Sequence, residues 1–231
     1  MENLTPAISC PLCTGIDVQL FHTDRTKRSQ REYWRCGRCS LVFVPSAFFL
    51  TPDAEKAEYE LHENALADDG YRQFLNRFWQ PFSALLKKKS ELLEFGCGPG
   101  PLLSRMMAKD GHQVACFDPF FANDATVLIE GKYDGVTATE VFEHLHEPKR
   151  VFEACLSYLK PTGVLGIMTK LVKSRDAFAQ WHYKNDLTHV IFFSEDTFEW
   201  LANHYRLHWQ MVAADVAVFS FRDETKVSDI D

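Results

Sequence analysis

The sequence predicts an α/β fold, in which a small cysteine-rich segment and a helical cap precede a mostly parallel sheet. Three observations carry this prediction. Strand and helix signals alternate from 91 to 221, as in a parallel sheet covered by helices. A glycine-rich turn at 96–100 joins a short apolar run to a helical pattern, and two C-x-x-C pairs lie near the N-terminus. The expected divisions are 1–50, 51–90, 91–221 and a disordered tail at 222–231.

The cysteine-rich segment predicts a metal site. Two C-x-x-C pairs, Cys10 with Cys13 and Cys36 with Cys39, are separated by 22 residues. Each pair can present two thiolates to one metal, and thiolates in a reducing compartment favour Zn²⁺ over disulfides. Because four cysteine ligands leave no open coordination position, we expect a structural zinc. Residues 8–45 then form a zinc ribbon; the alternative is two disulfides or free thiols.

The next segment predicts two helices between 53 and 90. The second carries a stripe of apolar side chains at spacings of three and four: Tyr71, Phe74, Leu75, Phe78, Trp79, Phe82, Leu85 and Leu86. This stripe predicts core packing, and its aromatic residues could also cover a substrate pocket. We expect Pro81 to kink or divide the helix.

The glycine-rich turn predicts a nucleoside site. It lies between the strand-like Leu92–Leu93 and a helix, and glycines there let a ligand approach the backbone. A second strand ends at Asp118, 24 positions after Glu94. A carboxylate about 20 residues past such a turn accepts hydrogen bonds from ribose hydroxyls. A nicotinamide nucleotide is disfavoured, because Gly100 is followed by Pro101 and the G-x-G-x-x-G spacing is absent.

The C-terminal third predicts the remaining elements of the sheet. A helix is expected over 151–159, and a second helix from its N-cap Ser194 to about Tyr205. The segments 207–213 and 216–221 read as a closing hairpin.

These landmarks resemble those of class I S-adenosylmethionine-dependent methyltransferases. Four segments carry the resemblance in order: 93–100, 117–118, 133–141 and 159–168. It implies a Rossmann-like methyltransferase sheet with one antiparallel strand near its edge, and S-adenosylmethionine as cofactor. The cofactor-binding residues it implies are Glu94, Gly96, Cys97, Gly98, Gly100, Asp118, Pro119, Phe120, Thr139, Glu140 and Val141.

One departure from the family pattern concerns the third strand. Only 15 residues separate Asp118 from Asp134, too few for the usual helix and strand at full length. The third strand is therefore expected to be shortened or missing. The residue that meets the adenine amino group is then not defined by the pattern, and Asp124 is a weak candidate.

The layout is also similar to that of sugar C-methyltransferases that act on nucleotide-linked keto-sugars. The resemblance makes His144 and His189 candidate acceptor-side bases, with Tyr59 or Tyr71 as the tyrosine from the N-terminal helices. Thr188 replaces the family's Glu, and the family's C-terminal domain is absent, so we expect the same site plan with a different or smaller substrate.

The density of ionisable and aromatic side chains gives the remaining candidates. Histidine suits a general base near neutral pH; the alternative is that His144 and His189 cap helices or orient neighbours. The catalytic candidates are His144, His189 and Tyr71, and the substrate-binding candidates are Tyr59, His182, Tyr183 and Asp186. His62 is a weaker candidate.

Composition limits the partners. The net charge of −7 counts against a broad nucleic-acid footprint. No apolar run reaches membrane-spanning length and no signal-peptide pattern is present, so the expected location is the cytoplasm.

A small-molecule acceptor is favoured. The alternatives are an rRNA or tRNA methyltransferase whose basic loop, Arg25, Lys27, Arg28 and Arg31, meets phosphates, and a non-catalytic S-adenosylmethionine-binding module. The sequence does not define the acceptor or the oligomeric state.

Overall fold

The computed structural model of the protein describes residues 8–26, 29–60 and 69–222. Lys27, Arg28, His62 and residues 223–231 of the expected tail lie outside these ranges. The strands within them are β1 (Val18–Thr23), β2 (Glu32–Cys36), β3 (Val42–Phe43), β4 (Glu91–Phe95), β5 (Gln113–Phe117), β6 (Tyr133–Thr139), β7 (Leu159–Met168), β8 (Ile191–Phe192), β9 (Leu207–Ala213) and β10 (Val216–Phe221). The α-helices are α1 (Pro52–Glu60), α2 (Asp69–Ser83), α3 (Leu102–Lys109), α4 (Pro148–Ser157), α5 (Arg175–Ala179) and α6 (Glu195–His204).

The larger sheet has six strands in the order β5-β4-β6-β7-β10-β9. Strands β5, β4, β6 and β7 are parallel, whereas β10 is antiparallel to both of its neighbours. The predicted single antiparallel strand next to the edge is therefore confirmed, and the predicted hairpin has the expected bounds. The central strands β4 and β6 are buried on both faces because helices cover both sides of the sheet.

The third strand of the family pattern is missing, as the short link predicts. Between β5 and β6 the chain forms a single bridge, Asp118 with Ala122, and a short 3-10 turn, Ala125–Val127. Strand β5 is consequently the edge of the described sheet.

Helices α2 and α3 cover one face of the sheet. The apolar stripe of α2 buries Leu75, Phe78, Trp79 and Phe82 against this face. The approach is close because the strands carry glycines there: a Cβ on Gly166 would lie 2.6 Å from Phe82 Cε2. The helix continues through Pro81 and ends at Ser83, so Pro81 does not divide it.

Two boundaries differ from the sequence prediction. Helix α4 begins at Pro148, where proline at the first position suits the helix backbone, and it ends at Ser157. Strand β7 begins at Leu159, the last residue of the expected helix, and its pairing with β6 shifts register between Tyr133 and Gly135. The predicted cap of α6 is confirmed, because the Ser194 side chain accepts a hydrogen bond from the Thr197 amide.

The ribbon sheet has the order β1-β2-β3-β8, so its fourth strand comes from much later in the chain. Val42 and Phe43 pair with Phe192 and Ile191, and the pairing is antiparallel. An aromatic cluster seals this junction: the Tyr33 ring lies 5.1 Å from Phe178 and 5.8 Å from Phe192. The ribbon is thereby continuous with the segment between α5 and α6.

Membrane-spanning geometry is absent from the described helices, because none combines the required length with sufficient apolar character.

Candidate active site

A cavity of about 840 Å³ opens at the carboxyl ends of β4, β5 and β6. In open α/β sheets ligands bind at this edge, where the strand order changes direction. Fifteen of the candidates from the sequence line it: Tyr59, Tyr71, Glu94, Gly96, Cys97, Gly98, Asp118, Pro119, Phe120, Thr139, Glu140, Val141, His144, Asp186 and His189. The cavity therefore contains both the nucleoside-type turn and the histidines.

Four candidates do not line the cavity. The Gly100 carbonyl accepts a hydrogen bond from the Leu102 amide at the start of α3. His182 is exposed on a 3-10 turn, and Tyr183 is buried behind the cavity wall. Asp124 caps the turn at 125–127 through the Thr126 amide.

The glycine turn is held by backbone geometry. Gly96 and Gly98 have φ values of +73° and +62°, which favour glycine. A Cβ on Gly96 would lie 2.4 Å from Val141 Cγ2, whereas a Cβ on Gly98 would meet no atom within 4 Å. The amides of Gly96 and Cys97 donate to the Phe117 carbonyl. The turn is thus fixed to β5 at Gly96, and it leaves open space beside Gly98 for a ligand.

Asp118 stabilises the same turn. One carboxylate oxygen accepts from the Gly98 amide at 3.0 Å, and the other accepts from the amides of Phe120 and Phe121 at 2.9 and 3.1 Å. A carboxylate offers roughly four acceptor positions, so this one can still accept a ribose hydroxyl. The glycine cradle and this carboxylate fit an adenosine-containing cofactor.

Glu94 connects the end of β4, just before the turn, to helix α3. Its Oε2 accepts from the Ser104 amide at 2.9 Å, which caps the N-terminus of α3. Burial raises the pKa of Glu94 to about 8. Burial, with the nearby Glu94 and Glu140, also raises the pKa of Tyr71 to about 12, so its hydroxyl keeps its proton at neutral pH.

Two glutamates follow β6. Glu140 has a φ of +53°, a strained value for a side chain with a Cβ, and burial next to Glu143 raises its pKa to about 8. Glu143 is fully buried, and its Oε1 accepts from the Tyr183 hydroxyl at 2.5 Å. Burial raises the pKa of Glu143.

The two histidines meet beside these glutamates. The rings of His144 and His189 are 4.7 Å apart. His189 Nδ1 lies 2.7 Å from the Tyr183 carbonyl oxygen, which can only accept, so Nδ1 carries a proton and Nε2 has the free lone pair in the neutral ring. Asp186 Oδ2 lies 3.7 Å from that Nε2. The arrangement suits a general base whose protonated form faces a carboxylate.

Helix α1 completes this side of the cavity. The Tyr59 ring lies 5.2 Å from His144, and its hydroxyl donates to Glu55 Oε1 at 2.7 Å. Burial raises the pKa of Tyr59, and the Glu55 carboxylate adds to the rise. The other oxygen of Glu55 lies 3.8 Å from His146 Nε2.

Two clusters in the described residues have the composition of a metal site. The Sγ atoms of Cys10 and Cys39 lie 3.5 Å apart and those of Cys13 and Cys36 3.4 Å apart, and all four thiols are buried and free. This closed set of sulfurs fits a tetrahedral Zn²⁺. The second cluster brings Glu143, His144 and His189 within 4.8 Å of one another, which suits a divalent cation with nitrogen and oxygen ligands.

Sequence reasoning missed several cavity residues. Glu55 carries no local motif, and Glu143 and His146 stand in the histidine cluster after β6 without a predicted role of their own. The apolar part of the wall was also missed: Phe95, Phe117, Phe121, Leu145, Val151, Ala154 and Tyr158. For Phe117 and Phe121 the sequence offers one signal, the short link after Asp118. Without a third strand, β5 is the edge of the described sheet.

Comparisons with known proteins agree with this geometry. The family model Methyltransf_23, described as a methyltransferase domain, matches residues 44–207. A ubiquinone biosynthesis O-methyltransferase of Xanthomonas campestris pv. campestris (strain B100) is 27% identical over 171 residues, which cover 56% of this chain and 70% of the relative. The protein of the same name from Xanthomonas axonopodis pv. citri is 29% identical over 159 residues, or 51% of this chain and 65% of the relative.

A solved structure shares the fold. It is the 1,6-didemethyltoxoflavin-N1-methyltransferase of Burkholderia thailandensis, with bound 1,6-didemethyltoxoflavin and S-adenosylhomocysteine. The TM-score is 0.51 at 15% identity, and the match covers 87% of this chain and 100% of that one.

Proposed function

This chain belongs to the methyltransferase domain family and is an S-adenosylmethionine-dependent methyltransferase, and we propose that its acceptor is a hydroxyl on a small, largely apolar molecule. The observation that carries the proposal is the pair His144 and His189 in the same cavity as the glycine turn. The cofactor, when bound, supplies an activated methyl group on sulfur. The protein then has to orient the acceptor oxygen and remove its proton.

The cofactor side of the cavity is assigned to the turn and its partners. Gly98 leaves room for a ligand, and Asp118 offers an acceptor to a ribose hydroxyl. Glu94 fixes the turn to α3 rather than reaching across the cavity. Gly100 supports the turn through the start of α3.

The acceptor side is assigned an apolar, ring-bearing substrate. The cavity wall beyond the turn after β6 includes half-buried aliphatic and aromatic side chains: Leu145, Val151, Ala154 and Tyr158. An 840 Å³ cavity accommodates a cofactor together with a small second molecule. The relatives named above are O-methyltransferases of ubiquinone biosynthesis, which supports oxygen as the acceptor atom.

The proton is assigned to His189 Nε2, with His144 beside it. Nδ1 of His189 is held by the Tyr183 carbonyl, so the ring keeps one tautomer and one orientation. When Nε2 takes the proton from the hydroxyl, the Asp186 carboxylate at 3.7 Å stabilises the cation. Tyr71 and Tyr59 contribute as hydrogen-bond donors, because the raised pKa values keep both phenols protonated.

A second role for the histidines is favoured by one observation. Glu143 Oε2 is buried and has no hydrogen-bond partner within the described residues, and it belongs to the cluster with His144 and His189. A divalent cation held there would orient the acceptor hydroxyl instead of a free base. Activity lost in chelator and restored by Mg²⁺ or Mn²⁺, which prefer oxygen ligands to a set of four thiolates, would favour this role.

The zinc ribbon is assigned a structural role, with Cys10, Cys13, Cys36 and Cys39 as ligands. The RNA alternative loses support at its basic loop: Arg31 is buried and donates to backbone carbonyls, and Arg25 is the one exposed arginine of that loop within the described residues. Salt-dependent RNA binding that disappears in Arg25→Ala would restore that alternative.

The test begins with calorimetric titration of S-adenosylmethionine and S-adenosylhomocysteine, followed by a screen of phenolic and keto-sugar-like acceptors. His144→Gln and His189→Gln should keep the affinity for S-adenosylhomocysteine within about threefold while turnover falls at least tenfold. For His189→Gln the fall should reach the size expected for a lost general base, about 10²–10⁴. His208→Gln, an exposed histidine on β9, is the matched control. Unchanged turnover in His189→Gln would overturn the assignment.

A further inference from the structure

We propose that the cysteine ribbon is a positioning element for the acceptor side of the cavity, and that Arg31 is the positioning residue through which it holds the segment 184–190. This segment carries Asp186 and His189. The inference rests on the proposed role of His189, and it adds a reason for the ribbon to be part of this enzyme.

The Arg31 guanidinium is buried and surrounded by carbonyl oxygens of that segment. One terminal nitrogen donates to the carbonyls of Leu187 and His189 at 2.9 and 3.3 Å. The other donates to those of Lys184 and Asp186 at 2.8 and 2.9 Å. Arg31 is 4% exposed, so water cannot replace these bonds.

Only a guanidinium suits this arrangement. Its donors are fixed in one plane, and each of its two terminal nitrogens donates to two carbonyls of the segment. Any change in the curvature of the segment breaks at least one bond, so the shape of the segment is defined by a side chain from the ribbon. A lysine ammonium has three donors and a different geometry, so it can replace only part of the set.

Three further contacts hold the same segment to the ribbon. The Tyr33 hydroxyl donates to the Lys184 carbonyl at 3.1 Å, and the Val44 amide donates to the Val190 carbonyl at 2.8 Å. The Lys184 ammonium forms a buried ion pair with Asp24 at 2.9 Å. Arg31 and Asp24 are themselves paired through the backbone, because the Asp24 amide donates to the Arg31 carbonyl.

The consequence reaches the cavity through His189. Its carbonyl is held by Arg31, and its ring is held by the Tyr183 carbonyl one residue before Lys184. Loss of the guanidinium therefore loosens both the backbone of His189 and the group that orients its ring. The glycine turn belongs to other elements, 94–100 between β4 and α3, and makes no contact with Arg31 among the hydrogen bonds described. Cofactor affinity should then be preserved while acceptor turnover is lost.

The experiment compares Arg31→Met, Arg31→Lys and Tyr33→Phe in the full chain, with Arg35→Met as the matched control. Arg35 is also a ribbon arginine, but its partners Ser40 and Asp196 lie at the surface. Hydrogen exchange of peptides covering 184–190, bound zinc, and S-adenosylhomocysteine affinity are measured first. Steady-state kcat and acceptor KM follow.

Arg31→Met should raise amide exchange in 184–190 at least tenfold, with one zinc still bound and cofactor affinity within about threefold. kcat should fall at least tenfold. Arg31→Lys should recover part of both effects, Tyr33→Phe should show the smallest effect, and Arg35→Met none.

Unchanged exchange in 184–190 for Arg31→Met, with the protein folded, would overturn the inference. If Arg31→Met does not fold, Tyr33→Phe and Arg31→Lys provide the test. Amide exchange in 184–190 equal to that of the parent protein in both variants would then contradict the inference. Exchange that rises as expected while neither His189→Gln nor Arg31→Met changes turnover would instead contradict the proposed role of His189, so the two failures are distinguishable.

Discussion

The two sides of the cavity are built in different ways. The cofactor side is one continuous stretch, 94–121. It contains two glycines with left-handed backbone conformation, and the Asp118 carboxylate accepts hydrogen bonds from backbone amides of the same stretch. The acceptor side is assembled from side chains of α1, of the turn after β6, and of the segment after α5, and the ribbon holds that last segment. The first side depends on local geometry, whereas the second depends on contacts between distant parts of the chain. Variants should therefore affect one side without the other.

Removing a zinc ligand should have the largest effect and should be confined to the acceptor side. Structural zinc sites contribute on the order of 10 kcal/mol to the folding of the segment that they hold. Cys13→Ser should abolish stoichiometric zinc binding and raise hydrogen exchange in β1, β2 and 184–190, while S-adenosylhomocysteine binding persists. Cys155→Ala, a buried cysteine outside the cluster, should retain the zinc. Loss of cofactor binding together with zinc would show that the two sides are not independent.

Gly96→Ala should break the cofactor side. The substitution places a Cβ 2.4 Å from Val141 Cγ2 and adds left-handed strain of about 1–2 kcal/mol. We expect a loss of several kcal/mol in the free energy of unfolding, as for other overpacked sites (about 1–3 kcal/mol for the clash), and at least a hundredfold weaker S-adenosylhomocysteine binding. Gly98→Ala has the same strain without a clash, so it should remain folded; urea titration of both variants measures the difference. Equal stability of the two would contradict the close approach at Gly96.

Asp118→Ala should weaken cofactor binding less than Gly96→Ala does. The change leaves three backbone amides, those of Gly98, Phe120 and Phe121, without their acceptor. Each bond to a charged group contributes about 1.5–3 kcal/mol, so calorimetry should register at least a tenfold rise in the Kd for S-adenosylhomocysteine. Asp124→Ala, at the nearby 3-10 turn, is the control and should leave the Kd unchanged. A Kd unaffected by Asp118→Ala would remove this residue from the cofactor site.

The pH dependence of stability isolates Glu94. Its folded pKa of about 8 lies above the model-compound value of 4.5, so the folded protein holds a proton that the unfolded chain has released between these values. The stability that the raised pKa of Glu94 adds to the folded protein is fully present below pH 4.5. As the pH rises to about 8 the free energy of unfolding loses this stability, at about 1.4 kcal/mol per pH unit. Between pH 6 and 8 the parent protein should lose about 2 kcal/mol more than Glu94→Gln in urea unfolding. Parallel pH profiles for the two proteins would show that Glu94 ionises normally.

The sequence predicts the local features of this molecule well. The glycine turn, the strand that ends at Asp118, the paired cysteines and the missing third strand all follow from spacings within about 40 residues. The N-cap at Ser194 and the closing hairpin are of the same kind. Such features are decided by backbone conformation and short connections, which a single sequence displays directly.

The contacts that cross the chain are not predicted. Arg31 was expected on a basic loop, yet it is buried against carbonyls more than 150 residues away. His182 and Tyr183 are neighbours in a loop dense in reactive side chains, but a short 3-10 turn leaves the first exposed and the second buried. Nothing in the local pattern specifies these outcomes, because they depend on which distant element packs against the segment.

The pairing of β8, which lies before α6, with β3 of the ribbon has a consequence for biosynthesis. Lys184 follows Arg31 by 153 residues. At a synthesis rate of about 5–20 residues per second, the segment 184–190 is therefore made on the order of ten seconds after the ribbon. During that interval the edge that later pairs with β8 is β3, which is two residues long. So short an edge offers few backbone groups to a neighbouring nascent chain, which limits mispairing. The closing step joins the first and last thirds of the chain, so it should come late in folding.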